Sequence, residues 1–345
     1  MNTILITGGA GFIGSNFIHY LLENENNIFI INLDKLTYAG NPENLKKIEV
    51  RYAERYRFIK GDICNQELVE YLFKEYQPDA VTNFAAESHV DRSIHNPYIF
   101  IKTNIMGTAN LLSVAKKFWR DDFENKRFLQ VSTDEVYGTL PEDEVETKFR
   151  ETTPLNPHSP YSASKTSADC IVQSYFDTFE FPSLITRCSN NYGPYQLPEK
   201  LIPLMIHNAQ NDKQLPVYGD GKNIRDWLYV EDHCDAILTV LQKGKIGEVY
   251  NIGGNNEIQN IEIVKRVLNY LNKPHSLITY VKDRLGHDRR YAMDASKIKK
   301  ELGWEPRFQF EDKIKDTIDW YHNNPEWVEN VISGEYQNWI KKNYR

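Results

Sequence analysis

Cysteine is scarce in this sequence. Four occur in 345 residues, at Cys64, Cys170, Cys188 and Cys234. They are too scattered for a C-x-x-C redox or metal motif and read as reduced thiols of a cytoplasmic protein. Basic residues are not in excess: 41 Lys and Arg face 48 Asp and Glu, a net charge of −7. That balance argues against sequence-independent binding to DNA or RNA, which relies on clustered cations. A local basic pocket for an anionic small molecule remains compatible with it. No apolar run approaches the roughly 18 residues needed to span a bilayer. The start, MNTILITGGAGFIGS, has no basic n-region and breaks into a glycine turn where a leader peptide would stay apolar. The nine histidines show no H-x-x-x-H spacing, so no metal site is expected. Repeats and low-complexity tracts are also lacking, which excludes a solenoid.

What remains is an ordinary core-forming composition, 41% hydrophobic. At about 150 residues per domain the length suits two domains, or one large α/β domain with an added lobe. Short apolar runs at 3–7, 28–33, 56–59, 80–84 and 127–131 read as strands. Helical spacing fills 12–22, 66–76 and 98–119 between them. Strands alternating with helices imply parallel pairing by right-handed crossovers. The expected fold is α/β: a Rossmann-type doubly wound parallel sheet with a smaller α/β lobe for substrate. A helix at 161–179 and a strand at 183–187 complete the first part. Residues 1–190 are read as the dinucleotide-binding domain and 191–345 mainly as the lobe. Segments near 227–253 are expected to return to the first sheet, so the boundary is soft.

The first strand runs into Gly8, Gly11 and Gly14, spaced G-x-x-G-x-x-G, with Phe12 and Ile13 opening a helix. The first glycine permits a tight turn, the second lets backbone approach a pyrophosphate, and the third lets helix pack on strand. The new helix presents unpaired N–H groups to phosphate. Asp34 ends the second strand 20 residues after Gly14. A carboxylate there accepts bonds from a ribose diol and repels a 2′-phosphate, which favours NAD over NADP. Asp62, in GDI with Ile63, suits an adenine-side contact, or else a turn or helix cap.

Tyr161 and Lys165 form Y-x-x-x-K, and four residues apart on a helix they share one face. An ammonium beside a phenol is expected to favour the phenolate, a base for a sugar hydroxyl. The fifth strand ends in STDEVYG, placing Thr133, Asp134 and Glu135 beside the expected nicotinamide. Two adjacent carboxyls are unnecessary for hydride transfer alone. They suit an elimination, in which one acid protonates a leaving hydroxyl and one carboxylate removes a proton.

The glycine turn, Ser132-Thr133 and Y-x-x-x-K together resemble the extended short-chain dehydrogenase/reductase family. TGGAGFIGS, DKLTYAGN, NFAAESHVDRSI, TNIMGT, STDEVYG, YSASK, NNYGPYQLPEKLIP, YGDGKNIRDWLYVEDHC and DRLGHDRRYAMD narrow the resemblance to the dTDP-glucose 4,6-dehydratases within it. The matches run from residue 3 to about 294. One departure is Leu285, where the family usually has a loop-stiffening proline.

The resemblance implies the following roles. Tyr161 deprotonates the hydroxyl on sugar carbon 4, Lys165 tunes it and holds the nicotinamide ribose, and Thr133 bonds that hydroxyl. Glu135 removes the proton on carbon 5, and Asp134 protonates the hydroxyl leaving carbon 6. NAD contacts would include Lys35, Leu36, Thr37, Phe84, Ala85, Ala86, Glu87, Thr103 and Asn191. Substrate contacts would be Ser88, Asn190, Lys200, Leu201, Pro216, Val217, Tyr218, Arg225, Asn260, Asp283, Arg284, Leu285, Gly286 and His287. Arg225 has the plainest residue-level case, since a planar fork suits phosphate. His233 reads as structural. The resemblance further implies a homodimer with a dTDP-glucose-type substrate, paired through the helices near 98–119 and 161–179. Three rivals are considered: a nucleotide-sugar 4-epimerase, a dehydratase for another nucleotide, and a non-catalytic NAD-binding regulator. The Asp134-Glu135 pair argues against the first and the intact catalytic set against the last.

Overall fold

The computed structural model describes residues 2–120 and 122–332. The apolar runs of the first part form β1 (Thr3–Thr7), β2 (Phe29–Asp34), β3 (Tyr56–Lys60), β4 (Ala80–Asn83), β5 (Arg127–Thr133) and β6 (Ser183–Cys188). Strands β7 (Asn190–Tyr192), β8 (Leu215–Tyr218) and β9 (Ile224–Tyr229) follow, and then β10 (Val249–Ile252). The central sheet has seven strands in the order β3-β2-β1-β4-β5-β6-β10. Every neighbouring pair is parallel. The order reverses between β1 and β4, which opens a crevice beyond the carboxyl ends of those strands. The doubly wound Rossmann-type fold is therefore present.

Strand residues alternate between two buried faces, so both faces carry buried side chains, most of them apolar. Ile4, Ile6 and Ile30 pack against the helices Phe12–Asn24 and Val230–Lys243. Leu5, Ile31 and Phe128 pack against Gln66–Tyr76, Thr108–Trp119 and Pro160–Phe179. The helix Pro160–Phe179 starts from a reciprocal cap: Ser159 accepts the Ser162 amide and Ser162 accepts the Ser159 amide. Pro160 occupies the first helical position, where its missing N–H costs nothing. Tyr161 and Lys165 thus lie in the first turns, at the carboxyl edge of the sheet.

The segment expected as one helix over 98–119 has three parts. Pro97–Phe100 and Thr108–Trp119 are α-helical, and Ile101–Gly107 between them is a wider π-helical stretch. It turns Asn104 toward the loop after β4. Asn104 accepts the Glu87 amide at 2.9 Å and donates to Glu87 O at 3.0 Å and Ser164 Oγ at 2.8 Å. Such stretches carry side chains that a regular helix would aim elsewhere.

A second group of elements has its own core, with Ile202, Met205, Trp227, Val264 and Ile318. It contains a three-stranded sheet, β11 (Glu257–Gln259), β9 and β7, and a parallel pair, β8 and β12 (Ile278–Val281). Trp227 lies on β9 in this small sheet, whereas Val230–Lys243 and β10 pack in the central layer. The switch comes where β9 ends at Tyr229 and a helix begins. Of the segment 191–345, residues 333–345 lie outside the described residues.

Candidate active site

Gly8 adopts φ 70°, and a Cβ there would lie 2.6 Å from Ala85 N. A Cβ on Gly14 would run into the Gly8 carbonyl oxygen. The turn therefore needs glycine at both positions. Gly11 precedes the helix Phe12–Asn24, which has no side-chain cap and no acid in its first turn. Its leading N–H groups and positive end face the cleft, a fit for a dinucleotide pyrophosphate. Asp34, at the end of β2, accepts Ala10 N at 2.9 Å and Leu36 N at 2.7 Å. Burial pushes its carboxyl up, and these two amides pull against that. Each oxygen keeps a second lone pair for a ligand hydroxyl. Asp62 pairs with Lys35 Nζ at 2.8 Å and accepts Cys64 N at 2.9 Å. It does not cap the next helix; Asn65 does.

Gly8, Gly11, Phe12, Ile13, Gly14, Asp34, Lys35, Thr37, Asp62, Ile63, Phe84, Ala85, Ala86, Glu87, Thr103, Tyr161, Lys165 and Asn191 all line this one cleft. Leu36 does not. At φ 55° it turns the chain, and its contribution is the amide given to Asp34.

Thr133, Asp134 and Glu135 reach the same cleft, and Glu135 also lines the adjoining cavity. Thr133 ends β5 and caps the short turn Asp134–Tyr137. Thr133 Oγ1 donates to Asp134 Oδ1 at 3.2 Å, and Asp134 Oδ2 has no hydrogen-bond partner among the described residues. Burial, then repulsion by Glu135, pushes the Asp134 carboxyl well up. Burial also raises Glu135, but Lys200, Arg284 and Arg225 oppose it. The environments differ in the sense needed: Asp134 is the better proton donor and Glu135 the better carboxylate.

Within the chain the Tyr161 phenol is pushed well up, first by burial and then by Glu135, while a hydrogen bond with Thr133 opposes the rise. The Lys165 ammonium donates to Val131 O at 2.7 Å, on the floor formed by β5.

The second cavity is lined by Ser88, Asn190, Lys200, Leu201, Pro216, Val217, Tyr218, Arg225, Asn260, Arg284, Gly286 and His287. Lys200, Arg225 and Arg284 bring three cations to it, among the carboxylates of Asp91, Glu135, Glu199 and Asp288. Asn190 Oδ1 and Asn260 Oδ1 are buried without a partner among the described residues, ready for a ligand's donors. Asp283 and Leu285 are absent from the wall. Asp283 accepts from His287 Nδ1 at 2.6 Å and from Arg284 N at 2.8 Å, which shapes the loop, and Leu285 is 73% exposed. Arg225 also has structural partners: Asp288 O at 2.8 Å, and the Tyr291 ring 4.2 Å from its guanidinium. His233 is buried, with Nδ1 2.9 Å from Asn191 Oδ1, a positioning contact for a residue of the first cleft.

A family model described as GDP-mannose 4,6 dehydratase matches residues 5–317. The dTDP-glucose 4,6-dehydratase of Salmonella typhimurium is 52% identical over 358 residues, covering 99% of this chain and 98% of its own. The chain belongs to the dTDP-glucose 4,6-dehydratase family. A family member from Bacillus anthracis, solved in complex with NAD, matches with TM-score 0.87 at 50% identity, covering 96% of this chain and 100% of that one. Another, from Streptomyces venezuelae and also solved with NAD, gives TM-score 0.89 at 44% identity, covering 95% and 99%.

Several wall residues of this dehydratase-family site were not singled out in the sequence. Gln196 and Glu199 lie in the NNYGPYQLPEKLIP block, and Asp288 and Tyr291 in DRLGHDRRYAMD. Asp91 meets the Tyr218 hydroxyl at 3.3 Å and Arg284 Nε at 3.8 Å, so an acid from the first part holds a cation of the second. Motif membership was the available signal; the pairing itself is tertiary. Among the described residues, no group of His, Cys, Asp or Glu could hold a metal ion, and no helix is long and apolar enough to cross a membrane.

Proposed function

We propose that this chain is an NAD-dependent dTDP-glucose 4,6-dehydratase, a hydro-lyase that yields dTDP-4-dehydro-6-deoxy-glucose and water. The observation that carries this reading is the Asp134–Glu135 pair, Asp134 buried and Glu135 half-buried, set after β5 in the cleft that Tyr161 and Lys165 also line. When bound, NAD takes up a hydride from the sugar and later returns it. The glycine turn, the start of the helix Phe12–Asn24 and Asp34 would hold its pyrophosphate and ribose.

As the phenolate, which the Lys165 ammonium and the positive charge of bound NAD would favour, Tyr161 accepts the proton of the carbon-4 hydroxyl. Once carbon 4 is a ketone, the proton on carbon 5 is acidic, and Glu135 removes it. Asp134, kept protonated by burial and by its neighbour, gives its proton to the hydroxyl leaving carbon 6. Glu135 then returns a proton to carbon 5. Lys200, Arg225 and Arg284 meet the diphosphate, with Asn190 and Asn260 for neutral groups. In this reading residues 1–190, with Val230–Lys243 and β10, serve the cofactor, and the remaining elements serve the sugar nucleotide.

A homodimer is part of the proposal. Tyr98 is 71% and Met106 59% exposed, and Ile101 and Phe179 are exposed beside them in sequence or on the neighbouring helix. Covering such a face with a second copy removes apolar surface from water. Unpaired Cys64, Cys170, Cys188 and Cys234 support a reducing, cytoplasmic setting.

The test is incubation of the purified protein with dTDP-glucose, UDP-glucose and GDP-mannose. A 4-keto-6-deoxy sugar formed from dTDP-glucose is expected, with deuterium placed on carbon 4 recovered in the new methyl group. Inversion at carbon 4 without loss of water would make it an epimerase instead.

A further inference from the structure

Behind Lys165 lies a buried ionic group that the chemistry above does not use. Asp169 follows Lys165 by one helical turn, so Tyr161, Lys165 and Asp169 stand in a row on one face of Pro160–Phe179. Asp169 is buried and takes Arg187 Nε on Oδ2 at 2.9 Å. Arg187 is also buried and donates Nη1 to the Tyr137 hydroxyl at 2.9 Å; Tyr137 in turn donates to Asn251 Oδ1 at 2.8 Å. Arg187 sits on β6 opposite Ser132 of β5, next to Val131, whose carbonyl holds the Lys165 ammonium. Arg187 thus reaches the carboxylate from the sheet, while Lys165 stands one helical turn before it with its ammonium on the Val131 carbonyl.

We propose that Asp169 is a positioning residue for the reaction: it is the shared buried counter-charge that keeps Lys165 an ammonium, and Arg187 anchors it and draws off part of its field. A buried ammonium with only a carbonyl for company would tend to lose its proton. Burial does push Lys165 down, and Asp169 is the first influence opposing it. The other groups facing Lys165 are Cys188 on β6 and Tyr161 on its own helix, with Asp134 in the same cleft; burial favours the neutral form of all three, so none offers a fixed charge. Arg187 alone could have been satisfied by a neutral acceptor. An acid at this position on the catalytic helix serves the lysine as well.

The inference rests on the dehydratase reading only for one of its two readouts. The first is the rate of substrate-driven cofactor reduction in holoenzyme against pH, whose alkaline limb reports loss of the Lys165 proton. Asp169→Asn leaves two cations facing each other, and the limb should move about one unit or more to lower pH. Arg187→Gln leaves the Asp169 charge to Lys165 alone, and the limb should move to higher pH. The second readout needs no substrate: NMR titration of the Lys165 amine in selectively ¹⁵N-lysine protein should shift in the same opposed directions. If Asp169→Asn fails to fold because Arg187 is stranded, the double variant Asp169→Asn, Arg187→Gln removes that cause and should still show the downward shift. Loss of stability or rate in these variants with the Lys165 titration unmoved would overturn the inference. An unreactive parent protein whose Lys165 titration shifts as stated would instead count against the dehydratase reading alone.

Discussion

Thr133 Oγ1 donates to Asp134 Oδ1 across 3.2 Å, so the last residue of β5 holds one oxygen of the carboxyl group that follows it. The other oxygen is buried without a partner among the described residues. A group so placed is an acid waiting for a base. The hydroxyl leaving carbon 6 is the base the proposed reaction provides.

Replacing Asp134 with Asn and Glu135 with Gln keeps shape but removes the acid and the base. The cleft lined by Tyr161 and Lys165 is untouched, so dTDP-glucose should still reduce bound cofactor. Water loss should fall by about 100-fold or more, the usual weight of positioned acid–base groups. Stopped-flow absorbance of reduced cofactor, set against product quantified by mass spectrometry, separates the two. Fast full turnover by the double variant would remove the elimination role.

Tyr161→Phe deletes one hydroxyl from a buried ring that packs edge-on against Phe100 at 6.3 Å. The ring keeps its packing, so the melting temperature should change little. Reduction of bound cofactor should be lost, because no other group stands in for the base beside Thr133. Normal reduction by this variant would pass the role to another residue.

The local parts of this design were legible in the sequence. The strands, the glycine turn, Asp34 at the end of β2, Asp134-Glu135 and Y-x-x-x-K are set by short-range pattern, and the structure brings them to one cleft. What lay beyond the pattern depends on where side chains point after packing. The π-helical stretch Ile101–Gly107 has no signature in apolar spacing. Lys165 facing the Val131 carbonyl depends on a strand 34 residues away. Asp283 and Leu285 share a motif with wall residues, yet loop geometry turns one to its neighbours and the other to solvent.

Gly14→Ala tests the cradle without touching a charge. The added methyl would meet the Gly8 carbonyl, which is backbone and cannot swing aside. Overpacking of this kind costs about 1–3 kcal/mol. The expected result is a lower melting temperature and protein that purifies with less cofactor, read from the absorbance ratio of the holoenzyme. An unchanged cofactor content would mean that the turn tolerates a shift the present geometry forbids.

His233 makes a pH prediction. It is fully buried, and burial lowers its imidazole from the ordinary 6.5 to about 3. The folded chain therefore keeps it neutral, with Nδ1 against Asn191 Oδ1, while the unfolded chain binds a proton below about pH 6.5. Stability from this residue is fully present above that pH and is lost as pH falls toward the folded value. At pH 5 the loss is roughly 2 kcal/mol, at about 1.36 kcal/mol per unit. His287, lowered to about 4 by burial and by Arg284 and Arg225, adds a slope of the same sign. His89 and His207, also lowered by burial, add to it, and His233→Gln removes the His233 share alone. Its melting temperature should fall less between about pH 6.5 and pH 5 than that of the parent, whatever the offset at neutral pH. Equal falls would mean that His233 gains its proton without opening the fold.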